Sequence, residues 1–142
     1  MTFTDARMLP TACDALESGG FIRRGVIGWD KTEKSRAPHS GYYKLQMEFI
    51  PWGSKGSLPK HGFGPFPGCY RVPIRSEEKV HMTGKPVELM RQLLKPLAPG
   101  AVVLDPFAGG GSTIVACKEL GLVGIGFEKS EEYVEIANGR LK

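Results

Sequence analysis

The chain is poor in cysteine, has no long apolar run and lacks the residues that complete a phosphate-binding glycine loop. Each lack removes a class of protein. Three cysteines occur in 142 residues, Cys13, Cys69 and Cys117. Being odd in number, widely separated and without paired spacing, they suggest neither a disulfide framework nor a zinc site, so free, mostly buried thiols are expected. His61 and His81 have no partners at ligand spacing, and no metal site is expected. No apolar run approaches the ~20 residues that span a bilayer. Met1-Thr2-Phe3-Thr4-Asp5 also lacks the basic and apolar regions of a signal peptide. An intracellular protein with no membrane contact is expected.

What is present suffices for one packed domain, since 41% of the residues are hydrophobic. The net charge of +4 is unevenly spread: residues 21–86 carry +7, against −2 for residues 1–20 and −1 for residues 87–142. A basic middle suits a polyanion, because neutralising phosphates releases counterions, although a solvated basic surface has the same composition.

The stretch around which the chain is organised is Val102-Val103-Leu104-Asp105-Pro106-Phe107-Ala108-Gly109-Gly110-Gly111-Ser112. An apolar run ending in an acid, then a glycine-rich turn, then a helix-like segment predicts a strand, loop and helix that hold a nucleotide-like ligand. A triphosphate loop needs Lys and a hydroxyl after its last glycine, and here Gly111 is followed by Ser112-Thr113. The dinucleotide fingerprint fails as well, because its third glycine position holds Ile114. Close backbone approach by a ligand without phosphates remains. The next apolar run, Leu122 to Phe127, ends in Glu128, placed at a strand tip to accept hydrogen bonds from ribose hydroxyls.

Asp105-Pro106-Phe107-Ala108-Gly109-Gly110-Gly111-Ser112, preceded by His81-Met82-Thr83-Gly84-Lys85-Pro86-Val87, resembles the cofactor-binding half of the S-adenosylmethionine-dependent DNA amino-methyltransferases. Those enzymes methylate the exocyclic nitrogen of adenine or cytosine. The resemblance implies S-adenosylmethionine as cofactor and double-stranded DNA as partner, in a prokaryotic or phage-encoded cytoplasmic protein of the restriction-modification kind. It places Thr83, Lys85 and Pro86 beside the methionine end of the cofactor, with Asp105, Pro106, Phe107, Gly109, Gly111, Ser112 and Glu128 forming the rest of its site. Thr83 and Pro86 equally serve to cap the following helix. From the basic middle, Lys31, Lys34, Arg36, Lys55, Lys60, Arg71 and Arg75 are the candidate DNA contacts.

The implied fold is α/β, a Rossmann-like methyltransferase sheet in permuted order, within one domain spanning 1–142. Residues 1–55 hold second-half strands and a helix, 56–80 a short target-recognition-like loop and 81–142 the cofactor part. Locally, 1–5 reads as a truncated strand, and Leu9 to Ser18 as a helix with Ala12, Ala15 and Leu16 on one face, stopped by Gly19-Gly20. Phe21 to Trp29 and Glu48 to Gly53 read as a strand pair, similar to the antiparallel pair of the same family. Lys60, His61, Phe63 and Phe66 stand in a Gly- and Pro-rich loop before the strand-like Cys69 to Arg75. On such a loop basic and aromatic side chains contact phosphates and stack on bases, or pack down on the domain. Helices are predicted at 87–94, 112–120 and 131–141, the second with its N-terminus toward the cofactor's carboxylate.

One element of the resemblance is lacking. The family's catalytic motif is a strand ending in Asp or Asn, then Pro-Pro and an aromatic residue, and the only Asp-Pro here is Asp105-Pro106. No catalytic residue is therefore identified, and the central strand of the sheet is expected to be missing, leaving open edges and exposed apolar faces. Three readings follow: the catalytic segment lies upstream, a second chain or another copy completes the sheet, or the chain is a non-catalytic module that binds cofactor or DNA.

Overall fold

The computed structural model describes residues 1–33, 35, 37–58, 64–74 and 84–142. They form two compact units, Met1–Pro73 and Ile74–Lys142.

In the first unit the Asp5 carboxylate accepts the backbone N–H groups of Arg7 and Met8 ahead of α1 (Leu9–Ser18), and the Met8 bond chiefly holds its pKa below the usual carboxylate range. Gly20, at φ 78°, ends the helix in the left-handed conformation, and the N–H groups of Gly19, Gly20 and Phe21 turn back onto its last carbonyls. The helix's inward side runs through Ala12, Cys13 and Leu16, and Ala15, expected on that face, is exposed. β1 (Ile22–Asp30) pairs antiparallel with β2 (Met47–Ser54) and parallel with β3 (Cys69–Arg71), giving the order β2-β1-β3. A register shift between Arg23 and Gly25 frees Arg24, which donates to the Ser54 hydroxyl and the Gly56 carbonyl. The expected strand at 1–5 amounts to one antiparallel bridge, Thr4 to Phe49, along the outer edge of β2. β3 is shorter than the expected run to Arg75; Pro73 has no N–H to continue a ladder, and Arg75 lies outside the described residues.

The core of this unit is Trp29, Ile50, Tyr70 and Val72. Trp29 is 1% exposed; its indole N–H donates to the Val72 carbonyl at 2.8 Å and its ring meets Phe3 edge-on. Beyond Trp29 the strand end is polar. Asp30 accepts from the Gln46 amide and the Thr32 N–H, both at 2.7 Å, and pairs with Arg71 at 3.4 Å. The Gln46 bond leads the causes that lower its pKa.

In the second unit, α2 (Val87–Leu94) packs on α3 (Ser112–Leu120), and β4 (Val102–Asp105) pairs in parallel with β5 (Val123–Gly126) across the α3 crossover, followed by α4 (Glu131–Leu141). Leu89, Met90, Leu93 and Leu94 meet Ala116 and Cys117 in the core of this unit. Glycine lets α3 lie directly on β5: a Cβ on Gly124 would come 3.0 Å from Cys117 Cβ, and one on Gly126 3.1 Å from Ile114 Cγ1. Among the described residues of this unit, nothing covers the opposite side of the two-stranded sheet. Val102, Leu104, Val123 and Ile125 alternate onto it and are all exposed, although parallel sheets are ordinarily covered on both faces. This is the exposed apolar face expected of a sheet lacking strands.

Of the thiols, Cys13 and Cys117 are buried and Cys69 is exposed, with no disulfide. Burial, then the charge of Asp105, pushes the Cys117 thiol up, so it stays protonated. Iodoacetamide is expected to add once to the folded protein, at Cys69, and three times after denaturation. Mass spectrometry of the intact chain reads the count, and early adducts at Cys117 would contradict the packing of α3 on β5.

Candidate functional site

The glycine loop turns between the C-terminal end of β4 and the start of α3. Asp105 organises it. One carboxylate oxygen accepts the Phe107 N–H at 3.0 Å and the other accepts the buried Thr113 hydroxyl at 2.6 Å. The chain thus bends sharply after β4 and is tied to the first turn of α3. Phe127 donates to the Asp105 carbonyl and Ala108 to the Phe127 carbonyl, so the β4–β5 ladder extends into the loop.

Glu128 stands over the loop from the end of β5. Its Oε2 accepts the Gly109 N–H at 2.8 Å, and its Oε1 accepts the N–H groups of Lys129 and Ser130 at 2.9 Å. These three bonds fix the carboxylate beside the loop. Gly111 has φ 76°, and a Cβ there would lie 2.8 Å from Ala137 Cβ. Because Gly111 is also the N-cap of α3 and offers no side chain, the helix begins without a side-chain cap. Its first-turn N–H groups and positive dipole end suit a carboxylate. Phe107 is 87% exposed at the loop's tip.

The expected cofactor residues are thus largely gathered: Asp105, Pro106, Phe107, Gly109, Gly111, Ser112 and Glu128 belong to one loop and its facing strand tip. Pro86 is buried at the N-cap of α2, with φ −61° and ψ 137°, and its carbonyl accepts the Met90 N–H. Lys85 precedes it, half-buried. Thr83 lies outside the described residues, as do His61, Phe63 and His81. Thr113 and Arg140 were not legible in advance. Arg140 Nη1 donates to the Gly110 carbonyl at 2.5 Å and to the Ser112 hydroxyl at 3.3 Å. No local sequence signal links a helix-terminal arginine to a loop 30 residues earlier.

Among the candidate DNA contacts, Lys34, Arg36, Lys60 and Arg75 lie outside the described residues. Lys55 is exposed, its ammonium 5.7 Å from the centre of the Phe21 ring. The Arg71 side chain is 67% exposed and pairs with Asp30. Lys31 is different: it is 9% exposed, and its ammonium sits 3.2 Å from Glu48, so the structure offers no free surface charge there. A net-charge count cannot separate a buried, paired lysine from a solvated one.

The chain is similar to known proteins along nearly its whole length. YubD of Escherichia coli (strain K12) is 34% identical over 128 residues, which is 89% of this chain and 54% of that protein. The type II methyltransferase M2.DpnII of Streptococcus pneumoniae is 29% identical over 145 residues, 90% of this chain and 54% of that one. The chain therefore spans about half the length of the curated relatives it matches. Among solved structures, the complex of M1.HpyAVI with SAM superposes with a TM-score of 0.80 at 30% identity, covering 99% of this chain and 72% of the other. The cytosine-N4-specific PvuII DNA methyltransferase, 18% identical with a TM-score of 0.78, shares the fold over 94% of this chain and 56% of its own. Since the N6/N4 DNA methylase family model matches residues 2–139, the chain belongs to that family, with its Rossmann-like α/β fold.

Proposed function

We propose that this chain forms the cofactor-binding part of a site-specific DNA methyltransferase that moves a methyl group from S-adenosylmethionine to the exocyclic amine of adenine or cytosine. The observation that carries the reading is the loop held between Asp105 and Glu128 over an uncapped helix start. These groups fit the cofactor's three parts. The exposed Phe107 ring offers an apolar face to a purine, Glu128 accepts from ribose hydroxyls, and the α3 N-terminus receives the amino-acid carboxylate. Lys85 and Pro86 are assigned to the methionine end, with Thr83, on the resemblance.

When bound, S-adenosylmethionine supplies an electrophilic methyl group on a sulfonium. The chain's own residues bind and orient it, and the transfer is direct, with no covalent enzyme intermediate. None of the three cysteines is preceded by proline, the setting used by carbon-methylating enzymes. An amine whose lone pair is delocalised into the base needs a polar side chain and a carbonyl to orient it, with an aromatic to stack on the flipped ring. No Asp-Pro-Pro-Tyr segment occurs in the 142 residues to supply those groups. The uncovered face of β4 and β5 supports completion of the sheet by further polypeptide, upstream or on a second chain. Lys55 and Arg71, with Lys34, Arg36, Lys60 and Arg75, are assigned to DNA phosphates, and Lys31 to holding the end of β1 through Glu48. The bacterial relatives support a prokaryotic or phage-encoded protein acting in the cytoplasm.

The test has two arms. Calorimetric titration of the purified chain with S-adenosylmethionine is expected to show one site. Labelled methyl transfer to DNA is then measured with the chain alone and together with a polypeptide carrying an Asp-Pro-Pro-Tyr segment. Transfer in either condition supports the enzyme. Cofactor binding with no transfer in both would favour the second reading, a regulatory module that binds cofactor or DNA, which the lack of the catalytic motif favours.

A further inference from the structure

The three loop glycines are all held from one side, by the segment that begins at Glu128 and runs through α4. Gly109 is bonded through its N–H to Glu128, the Gly110 carbonyl accepts from Arg140, and Gly111 seats against Ala137. Yet α4 contributes no buried residue to the core of its unit. It lies against α3 and reaches the loop. Arg140 joins two points there, the Gly110 carbonyl and the hydroxyl of Ser112, the first residue of α3.

We infer that Arg140 is a positioning residue for the cofactor loop, fixing the Gly110–Ser112 segment so that the start of α3 faces the amino-acid carboxylate of the bound methyl donor. The inference rests on reading the loop as an S-adenosylmethionine site. A guanidinium presents donors in a rigid fork, so one side chain holds both acceptors while their spacing is kept. Its charge also lies beside an uncapped helix N-terminus, where it adds to the positive dipole end and favours an anion. The adenosine end of the ligand is assigned to different groups, Phe107 and Glu128, whereas the hydrogen bonds of Arg140 run to Gly110 and Ser112. Arg140 should therefore affect one end of the ligand only.

That asymmetry gives the experiment. The 142-residue chain, R140Q and R140K are titrated calorimetrically with S-adenosylmethionine and with 5′-methylthioadenosine, which keeps the nucleoside and lacks the amino-acid carboxylate. Melting temperature is recorded for each protein. Losing charged hydrogen bonds on the loop is expected to weaken S-adenosylmethionine binding by R140Q about tenfold. Methylthioadenosine affinity stays unchanged, and R140K recovers part of the loss because a point charge holds one of the two acceptors. Equal weakening of both ligands, tracking a lower melting temperature, would reduce Arg140 to a general structural role and overturn the inference, as would parental affinity in R140Q. If the parent chain binds neither ligand, the cofactor reading itself falls, and this role with it.

Discussion

Replacing Gly111 by valine is expected to abolish cofactor binding. Gly111 has φ 76°, a conformation in which a β-branched side chain is an outlier and any L side chain costs roughly 1–2 kcal/mol. Space adds a second cost. A Cβ would stand 2.8 Å from Ala137 Cβ and 3.2 Å from its Cα, and that backbone cannot swing aside as the tip of a flexible side chain would. Overpacking of this kind costs about 1–3 kcal/mol, so the loop or α4 must shift. Either shift draws Arg140 away from Gly110 and disorganises the start of α3. Calorimetry with S-adenosylmethionine measures the outcome. Gly121→Ala is the control: Gly121 has φ 67° but open space around its Cβ, so it carries the conformational cost without the clash, at the other end of α3, and should bind normally. Parental affinity in Gly111→Val would mean that the loop is not the binding element.

The largest expected loss of stability is in the first unit, from Trp29→Ala. This ring is 1% exposed, and its removal leaves the Val72 carbonyl without the donor it accepts from at 2.8 Å. Truncating a buried aromatic to alanine costs about 3–5 kcal/mol, a large share of the 5–15 kcal/mol that holds a typical protein folded. Trp29→Phe keeps most of the ring and loses the N–H, so it should cost about 1–3 kcal/mol. Urea midpoints followed by circular dichroism order the three proteins. If alanine cost no more than phenylalanine, the ring would not be the centre of this core. Because Val72 follows β3, the same change loosens the strand that brings Arg71 to Asp30.

Most elements were legible because their signals are local. The helices at Leu9–Ser18, Val87–Leu94, Ser112–Leu120 and Glu131–Leu141 fall where apolar spacing, with a flanking proline, acid or glycine, puts them. The β1–β2 pair was also anticipated, through its resemblance to the antiparallel pair of the family. The parallel partner β3 was read as a strand, but its place beside β1 was not, because parallel register is set by contacts between residues far apart in the chain. At the site, Asp105 and Glu128 were recognised from their strand-tip positions. What they do there was not readable: Asp105 bonds to Phe107 and Thr113, and Glu128 to Gly109 and the start of α4. Lys31 shows the same limit: a charge grouped with the candidate DNA contacts by its neighbourhood in sequence lies buried against Glu48.

The amino-acid sequence by itself determined the helix boundaries, the strand tips, the glycine loop and the absence of the acceptor-binding motif. All of these rest on residue identity over a span of a few positions. Only the tertiary structure decided which side chains hold the loop, because Arg140 and Gly110 are 30 residues apart and Glu128 and Gly109 are 19 apart. Such pairs meet only after β4 and β5 have aligned and α4 has folded back onto α3, and no local pattern encodes where a long side chain ends after that docking.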